Sequence, residues 1–153
     1  MGKLVHAAFA AFTIAGSVIY ANAQTARNSV SGAEVNGTYR MPFTGKFKDS
    51  SNKIRILALG KGKVRVAFDL LYPYMMSDGG PMVNLGNAEG TAEITGDTAV
   101  FASSEGSCRI TIKFARPGTI NVSQEGTDAD CGFGVNVTAD GVYRKTSSKK
   151  PRF

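Results

Sequence analysis

A small, closed, antiparallel β-barrel is the fold that this 153-residue sequence predicts. Three observations carry the prediction. Apolar residues come in short segments that alternate with polar ones and are cut by Gly, Asn and Asp, the period of half-buried strands joined by tight turns. No stretch beyond residue 24 keeps a 3.6-residue apolar period, which argues against amphipathic helices. The phrase Gly37-Thr38-Tyr39-Arg40 returns as Gly141-Val142-Tyr143-Arg144, as expected if the first and last strands lie side by side and leave the sheet without edges. With seven or eight strands and consecutive hairpins, an up-and-down barrel of calycin-like type is the first choice and a flattened β-sandwich the second.

The chain opens on processing information. Met1-Gly2-Lys3 is short and basic, Leu4 to Tyr20 is almost unbroken apolar, and Ala21-Asn22-Ala23 supplies the small residues that a signal peptidase reads. Residues 1–23 therefore read as a signal peptide, with Gln24 as the new N-terminus. A membrane span needs about 20 apolar residues, and this run is shorter and ends in the cleavage pattern. The mature chain is accordingly expected to have no transmembrane segment and to work in a periplasm or outside the cell. Residues 24–35 read as a flexible N-terminal segment, 36–145 as the barrel domain and 146–153 as a disordered basic tail.

Within the domain, Lys53–Leu59 and Lys63–Leu70 flank Gly60-Lys61-Gly62 as a hairpin. Ala92–Thr95 and Thr98–Ala102 repeat the pattern around Gly96-Asp97, and Cys108–Phe114 and Thr119–Ser123 repeat it around Arg116-Pro117-Gly118. Alternation puts Cys108 on the same face as Ile110, Ile112 and Phe114, hence toward the core. Cys131 shares parity with Phe133, Val135 and Val137, so that stretch reads as a further piece of wall. Removal of residues 1–23 takes away His6, the only histidine, and leaves two cysteines. In an exported chain an even pair oxidises, so a Cys108–Cys131 disulfide is expected, and no metal.

Cys108-Arg-Ile-Thr-Ile-Lys-Phe114, Cys131-Gly-Phe-Gly134 and Asp140-Gly-Val-Tyr-Arg144 together resemble a family of small exported bacterial proteins, mostly uncharacterised. Members carry a Cys-Gly-x-Gly and a closing Gly-x-Tyr in their last strands, and similar modules occur near lysozyme-inhibitor-like lipoproteins. The resemblance covers roughly residues 37 to 145. It implies a scaffold of disulfide, glycines and strand tyrosine, and an inhibitor-like role. The tryptophan-containing inhibitory motif of c-type lysozyme inhibitors has no counterpart, because the chain has no Trp.

Catalysis is not expected. Without His, neither a Ser-His-Asp nor a Cys-His arrangement can be built, and a disulfide supplies no thiolate. Glu89, Glu93, Glu105, Glu125, Asp128 and Asp130 form a carboxylate pool from which no glycosidase pair stands out. Glu125–Asp130 lacks the ligand series of an EF-hand and reads as a polar turn. Gly60-x-Gly62 and Gly132-x-Gly134 lack the third glycine and the helix of a phosphate loop. No cofactor is expected.

Two surfaces remain as candidates for binding. Residues 24–65 hold nine Lys/Arg against two acids, 66–143 three against ten, and 144–153 five against none, so the chain is a dipole. Lys53, Arg55, Lys63 and Arg65 alternate with apolar positions and form a cationic comb suited to an anionic envelope polymer or lipid. Nucleic acid is not expected, for want of basic and aromatic residues interleaved as a stacking platform. The second surface is Leu71 to Met82, read as a loop too long for a hairpin turn, in which Tyr72, Tyr74, Met75, Met76 and Met82 offer adaptable apolar contact. The expected function is non-catalytic binding of an envelope or extracellular protein through this segment. The alternatives are carriage of a small apolar ligand inside the barrel and envelope attachment through the comb.

Overall fold

A computed structural model describes residues 2, 29–103, 107–116 and 118–153, so the predicted signal peptide (Gly2 apart) and residues 24–28 lie outside the described residues. Eight antiparallel strands follow one another round a closed barrel: β1 (Gly37–Pro42), β2 (Ser51–Gly60), β3 (Lys63–Met75), β4 (Pro81–Thr95), β5 (Thr98–Ala102), β6 (Arg109–Arg116), β7 (Thr119–Glu125) and β8 (Gly141–Ser147). β8 pairs back onto β1, with Tyr39 opposite Lys145 and Arg40 opposite Arg144. The repeated phrase thus forms the closing seam, and the sandwich alternative is set aside.

Alternation does most of the work. Ile54 and Ile56, Val64, Val66 and Phe68, Ile110, Ile112 and Phe114, and Ile120 and Val122 all point inward, where they meet Tyr39 and Tyr143. These side chains fill the barrel axis. Phe68 packs edge-on against Phe101 with ring centres 5.3 Å apart, and Tyr39 against Phe114 at 6.5 Å.

The two copies of the phrase build the same local structure. Tyr39 donates its hydroxyl to the Val35 carbonyl at 3.0 Å, and Tyr143 donates to the Ala139 carbonyl at 3.0 Å, in both cases four residues back. The residue between is also used alike: Asn36 Oδ1 accepts from the Ala58 N–H and Asp140 Oδ1 from the Gln124 N–H, each at 2.6 Å. Gly37 and Gly141 sit at φ 152° and 143°, which only glycine adopts readily. Burial pushes both tyrosine hydroxyls well above the ordinary phenol range, helped by Glu34 at Tyr39 and by Asp140 at Tyr143. They remain neutral donors.

Both barrel ends are closed by chain, and here three expectations are corrected. Residues 32–35 of the segment read as flexible form α1 (Gly32–Val35), capped reciprocally by Ser31 and Glu34, with Val35 in the core and Val30 packed beside it. This helix lies at the end that carries the β2–β3 and β4–β5 turns, and the Val30 N–H donates to the Gly96 carbonyl at 3.2 Å. At the other end Cys131–Val137 is a crossing loop, not a wall strand. Phe133 and Val137 are buried, but Val135 is 67% exposed. Asn136 takes φ 64° and the Val137 N–H closes a turn onto Gly134, which breaks the alternation. The disulfide expected from the sequence is present, linking this loop to the start of β6 at a Cα separation of 4.8 Å. Finally, β8 continues through Ser147 and Phe153 packs on the barrel wall, so residues 146–153 are not a loose tail.

β4 is 15 residues long, nearly four times its legible part. The sequence suggests a strand only from Ala92, whereas pairing with β3 runs without a break from Lys63↔Glu93 to Met75↔Pro81. Its inward positions are Gly86, Ala88, Gly90 and Ala92. A Cβ on Gly86 would lie 2.6 Å from Val137, and one on Gly90 would lie 2.9 Å from the Phe101 ring. Large side chains from the crossing loop and β5 therefore occupy the space that small residues on β4 leave.

Candidate functional site

The segment Leu71–Met82, read as a loop, is the far part of the β3–β4 hairpin. β2 accompanies β3 only as far as Lys53↔Asp69, and beyond the rim Leu71–Met75 and Pro81–Leu85 continue as a two-stranded ribbon. Its turn is tight, with the Met76 N–H donating to the Gly80 carbonyl at 2.8 Å and the Gly79 N–H to the Met76 carbonyl at 2.9 Å. Two polar bonds root its base: the Leu71 N–H donates to buried Asn52 Oδ1 at 2.7 Å, and Asn84 Nδ2 donates to the Val135 carbonyl at 2.8 Å. The tip makes no comparable contact among the described residues.

Both faces of the ribbon are apolar. The face continuous with the barrel interior carries Tyr72 and Tyr74, ring centres 6.2 Å apart, with Met82 directly across from Tyr74. The opposite face carries three cross-strand apolar pairs: Leu71 with Leu85, Pro73 with Val83, and Met75 with Pro81. Together with Phe47, Leu71, Pro73 and Val83 border a shallow groove of about 370 Å³. Tyr72, Met75, Met76, Met82, Val83 and Leu85 are 39–54% exposed, while Tyr74 is half-buried against its neighbours. Val83 and Leu85 were missed in the sequence, although the alternation Val83-Asn84-Leu85 was there to signal them. The ribbon holds no acid–base pair; what it offers is amphipathic aromatic and thioether contact area.

The comb stands on the outer wall as expected, yet its charges are already engaged. Lys53 Nζ and Arg55 Nε lie 3.2 and 3.4 Å from Asp69 Oδ2, and Arg65 Nε donates to Glu89 Oε1 at 2.9 Å. The Arg55 Nε and Asp69 Oδ2 atoms are buried and out of hydrogen-bond alignment, so charge alone couples them. Arg55 and Arg65 also lie over the Phe153 ring, 5.3 and 4.6 Å from its centre, and Arg55 donates to the Arg152 carbonyl. Lys63 faces Glu93 across the ladder. Replacing Phe153 by Ala is expected to remove about 0.5–1 kcal/mol per cation–π contact. For the two contacts together that is about 1–2 kcal/mol, a fall of about 2–8 °C in the melting temperature, readable by calorimetry; an unchanged transition would mean that Phe153 adds nothing.

Other charged groups serve local structure. Asp130 accepts from the Thr127 N–H and hydroxyl, each at 2.8 Å, bonds that hold its carboxyl below the usual range. Asp128 Oδ2 accepts from the Asn136 N–H at 2.6 Å. The acidic turn thus spends carboxylate oxygens on its own backbone, and no group of three metal-ligating side chains occurs among the described residues. Lys145 donates to the Glu34 carbonyl at 2.6 Å and lies over the Tyr39 ring; burial lowers its pKa, against the pull of Glu34. In comparisons with protein-family models, curated proteins and solved structures, nothing matches this chain, so what the surfaces do is argued from their geometry alone.

Proposed function

We propose that this protein is an exported, non-catalytic binding module, inhibitor-like in action, that contacts an envelope or extracellular protein through the Tyr72–Met82 ribbon. The observation that carries the reading is a ribbon projecting past the barrel rim with apolar residues on both faces. Exposed apolar surface on a contiguous projection is costly in water unless a partner covers it. Burial of Tyr39, Phe68 and Tyr143 along the axis favours this surface over an enclosed ligand, and the paired state of Arg55 and Arg65 favours it over the comb. The disulfide fits a compartment outside the reducing cytoplasm.

Two double variants assign the contact face. Tyr74→Ala with Met82→Ala strips the inner face, and Val83→Ser with Leu85→Ser strips the outer one. At least one pair is expected to weaken capture of the envelope partner more than about tenfold, with stability changed by less than about 1 kcal/mol, as when an exposed anchor is removed. Capture that survives both pairs but is abolished by 0.5 M salt would overturn the ribbon reading in favour of a charged surface.

A further inference from the structure

Closing the barrel on the repeated phrase brings its two arginines side by side. Arg40 is directly opposite Arg144 across the β1–β8 seam, and on its other side it is directly opposite Lys53 of β2. Residues opposite each other in an antiparallel pair share a face. Tyr39 and Tyr143 point into the core, so Arg40 and Arg144 stand on the outer wall, and both are exposed. Three cations thus lie in one row over adjacent strands, a span of about 10 Å at the usual strand spacing. The row continues on β7 with Thr119, opposite Arg144, which brings no negative charge.

Like charges set directly opposite destabilise a sheet, and the neighbouring strands avoid that cost: Lys53 and Arg55 share Asp69, and Arg65 has Glu89. Arg40 and Arg144 have no such relief. Neither forms an ion pair among the described residues, and Arg40 Nη1 donates to the neutral Ser51 Oγ at 2.8 Å. Outside the described residues the chain holds one acid, Glu105, in the sequence between β5 and β6, and neither of those strands borders the seam. The last residues enlarge the positive field. They leave β8 at Ser147, opposite Thr38, and reach Phe153 over Arg55 and Arg65, which carries exposed Lys149, Lys150 and Arg152 across the seam beside the row.

Two uncompensated guanidiniums held in register by the seam are a cost that a bound anion relieves. From this row we infer a second binding site, independent of the ribbon, in which Arg40 and Arg144 together hold a phosphate group. Their chemistry selects the anion. Each guanidinium presents a planar fork of donors. A carboxylate has one planar edge and satisfies one fork. The tetrahedral oxygens of a phosphate monoester accept from forks on two sides, and its charge of about −2 matches the two free cations. Lys53 stays with Asp69 and supplies field, not a contact. The site is open on the outer wall, so a lipid headgroup and a soluble ester both offer the required group, and the experiment separates them.

Titration of the whole protein with inorganic phosphate, followed at the arginine Nε–H resonances, is expected to move those of Arg40 and Arg144 together and to saturate. Acetate at the same ionic strength should not. Arg144→Gln should raise the Kd for phosphate at least about tenfold, the loss of one charge-assisted fork. Arg144→Lys should do the same, because an ammonium keeps the charge and loses the fork. Lys113→Gln removes an exposed cation of β6 outside the row and should leave the Kd unchanged. Phosphate should raise the melting temperature of the unsubstituted protein and not that of Arg144→Gln. Co-sedimentation with phosphatidylcholine vesicles that carry phosphatidic acid, lost in Arg144→Gln, assigns the phosphate to a lipid; binding of phosphate without binding of vesicles assigns it to a soluble ester. Equal responses to acetate and phosphate, an unchanged Kd in Arg144→Gln, or an equal loss in Lys113→Gln would mean general screening of charge and would overturn the site. So would full affinity in Arg144→Lys, which needs no fork.

Discussion

Reduction of the Cys108–Cys131 bond is expected to lower the unfolding free energy by about 3 kcal/mol, the chain-entropy value for a loop of this length. The two cysteines are 23 residues apart, and the segment between them holds β6, β7 and the acidic turn. Loss of the crosslink frees the start of the crossing loop, whose Phe133 and Val137 then depend on Gly86 and the Gly134–Leu85 hydrogen bond for their position. The effect should therefore exceed simple entropy if the loop lifts away. Denaturant unfolding with and without reductant measures it, with Cys108→Ala/Cys131→Ala as the control for reagent effects. A midpoint that shifts by less than the equivalent of about 1 kcal/mol would show that the loop is held by packing alone.

Gly37→Ala should be the more damaging of two equivalent substitutions, and the difference between them is informative. Both glycines have positive φ, for which an L side chain pays about 1–2 kcal/mol. At Gly37 the new methyl would also collide with the Ser147 backbone carbonyl, which the β1–β8 seam holds in place. At Gly141 it would collide with the sulfur of Met41, the far end of a flexible side chain. A total loss of about 3–4 kcal/mol is expected for Gly37→Ala and about 2 kcal/mol for Gly141→Ala, within the range for backbone strain plus clash. Adding Met41→Ala should recover part of the second loss and none of the first. Equal losses, or rescue of both, would mean that the seam itself shifts.

The barrel was legible wherever one face of a strand is large and apolar. Ile54 and Ile56, Val64, Val66 and Phe68, and Ile110, Ile112 and Phe114 announce both strand and orientation, and the two Gly-x-Tyr-Arg phrases announced the seam. Legibility failed where the core is filled from the other side. Gly86, Ala88, Gly90 and Ala92 face inward, yet they look like a loop because Phe101, Phe133 and Val137 supply the bulk. The ribbon was half legible: its Tyr and Met residues marked it, but their density suggested a long loop and concealed Val83 and Leu85. The comb residues were placed on the correct wall, but Phe153, distant in sequence, could not be foreseen as their cover.

The seam carries one more consequence. Because Thr38 lies opposite Ser147, the start of β1 and the end of β8 are neighbours in space, and every other strand meets the strands next to it in sequence. A ring has no required starting point. A chain re-cut at the exposed Gly60–Gly62 turn, with residues 29 and 153 joined by a flexible linker so that α1 and Phe153 are kept, should assemble the same eight staves in a new order of synthesis. Such a circular permutant would turn β1–β8, now the contact most distant along the chain, into a local hairpin, and make β2–β3 the long-range closure instead. Its folding rate would then report which seam limits closure of the native barrel.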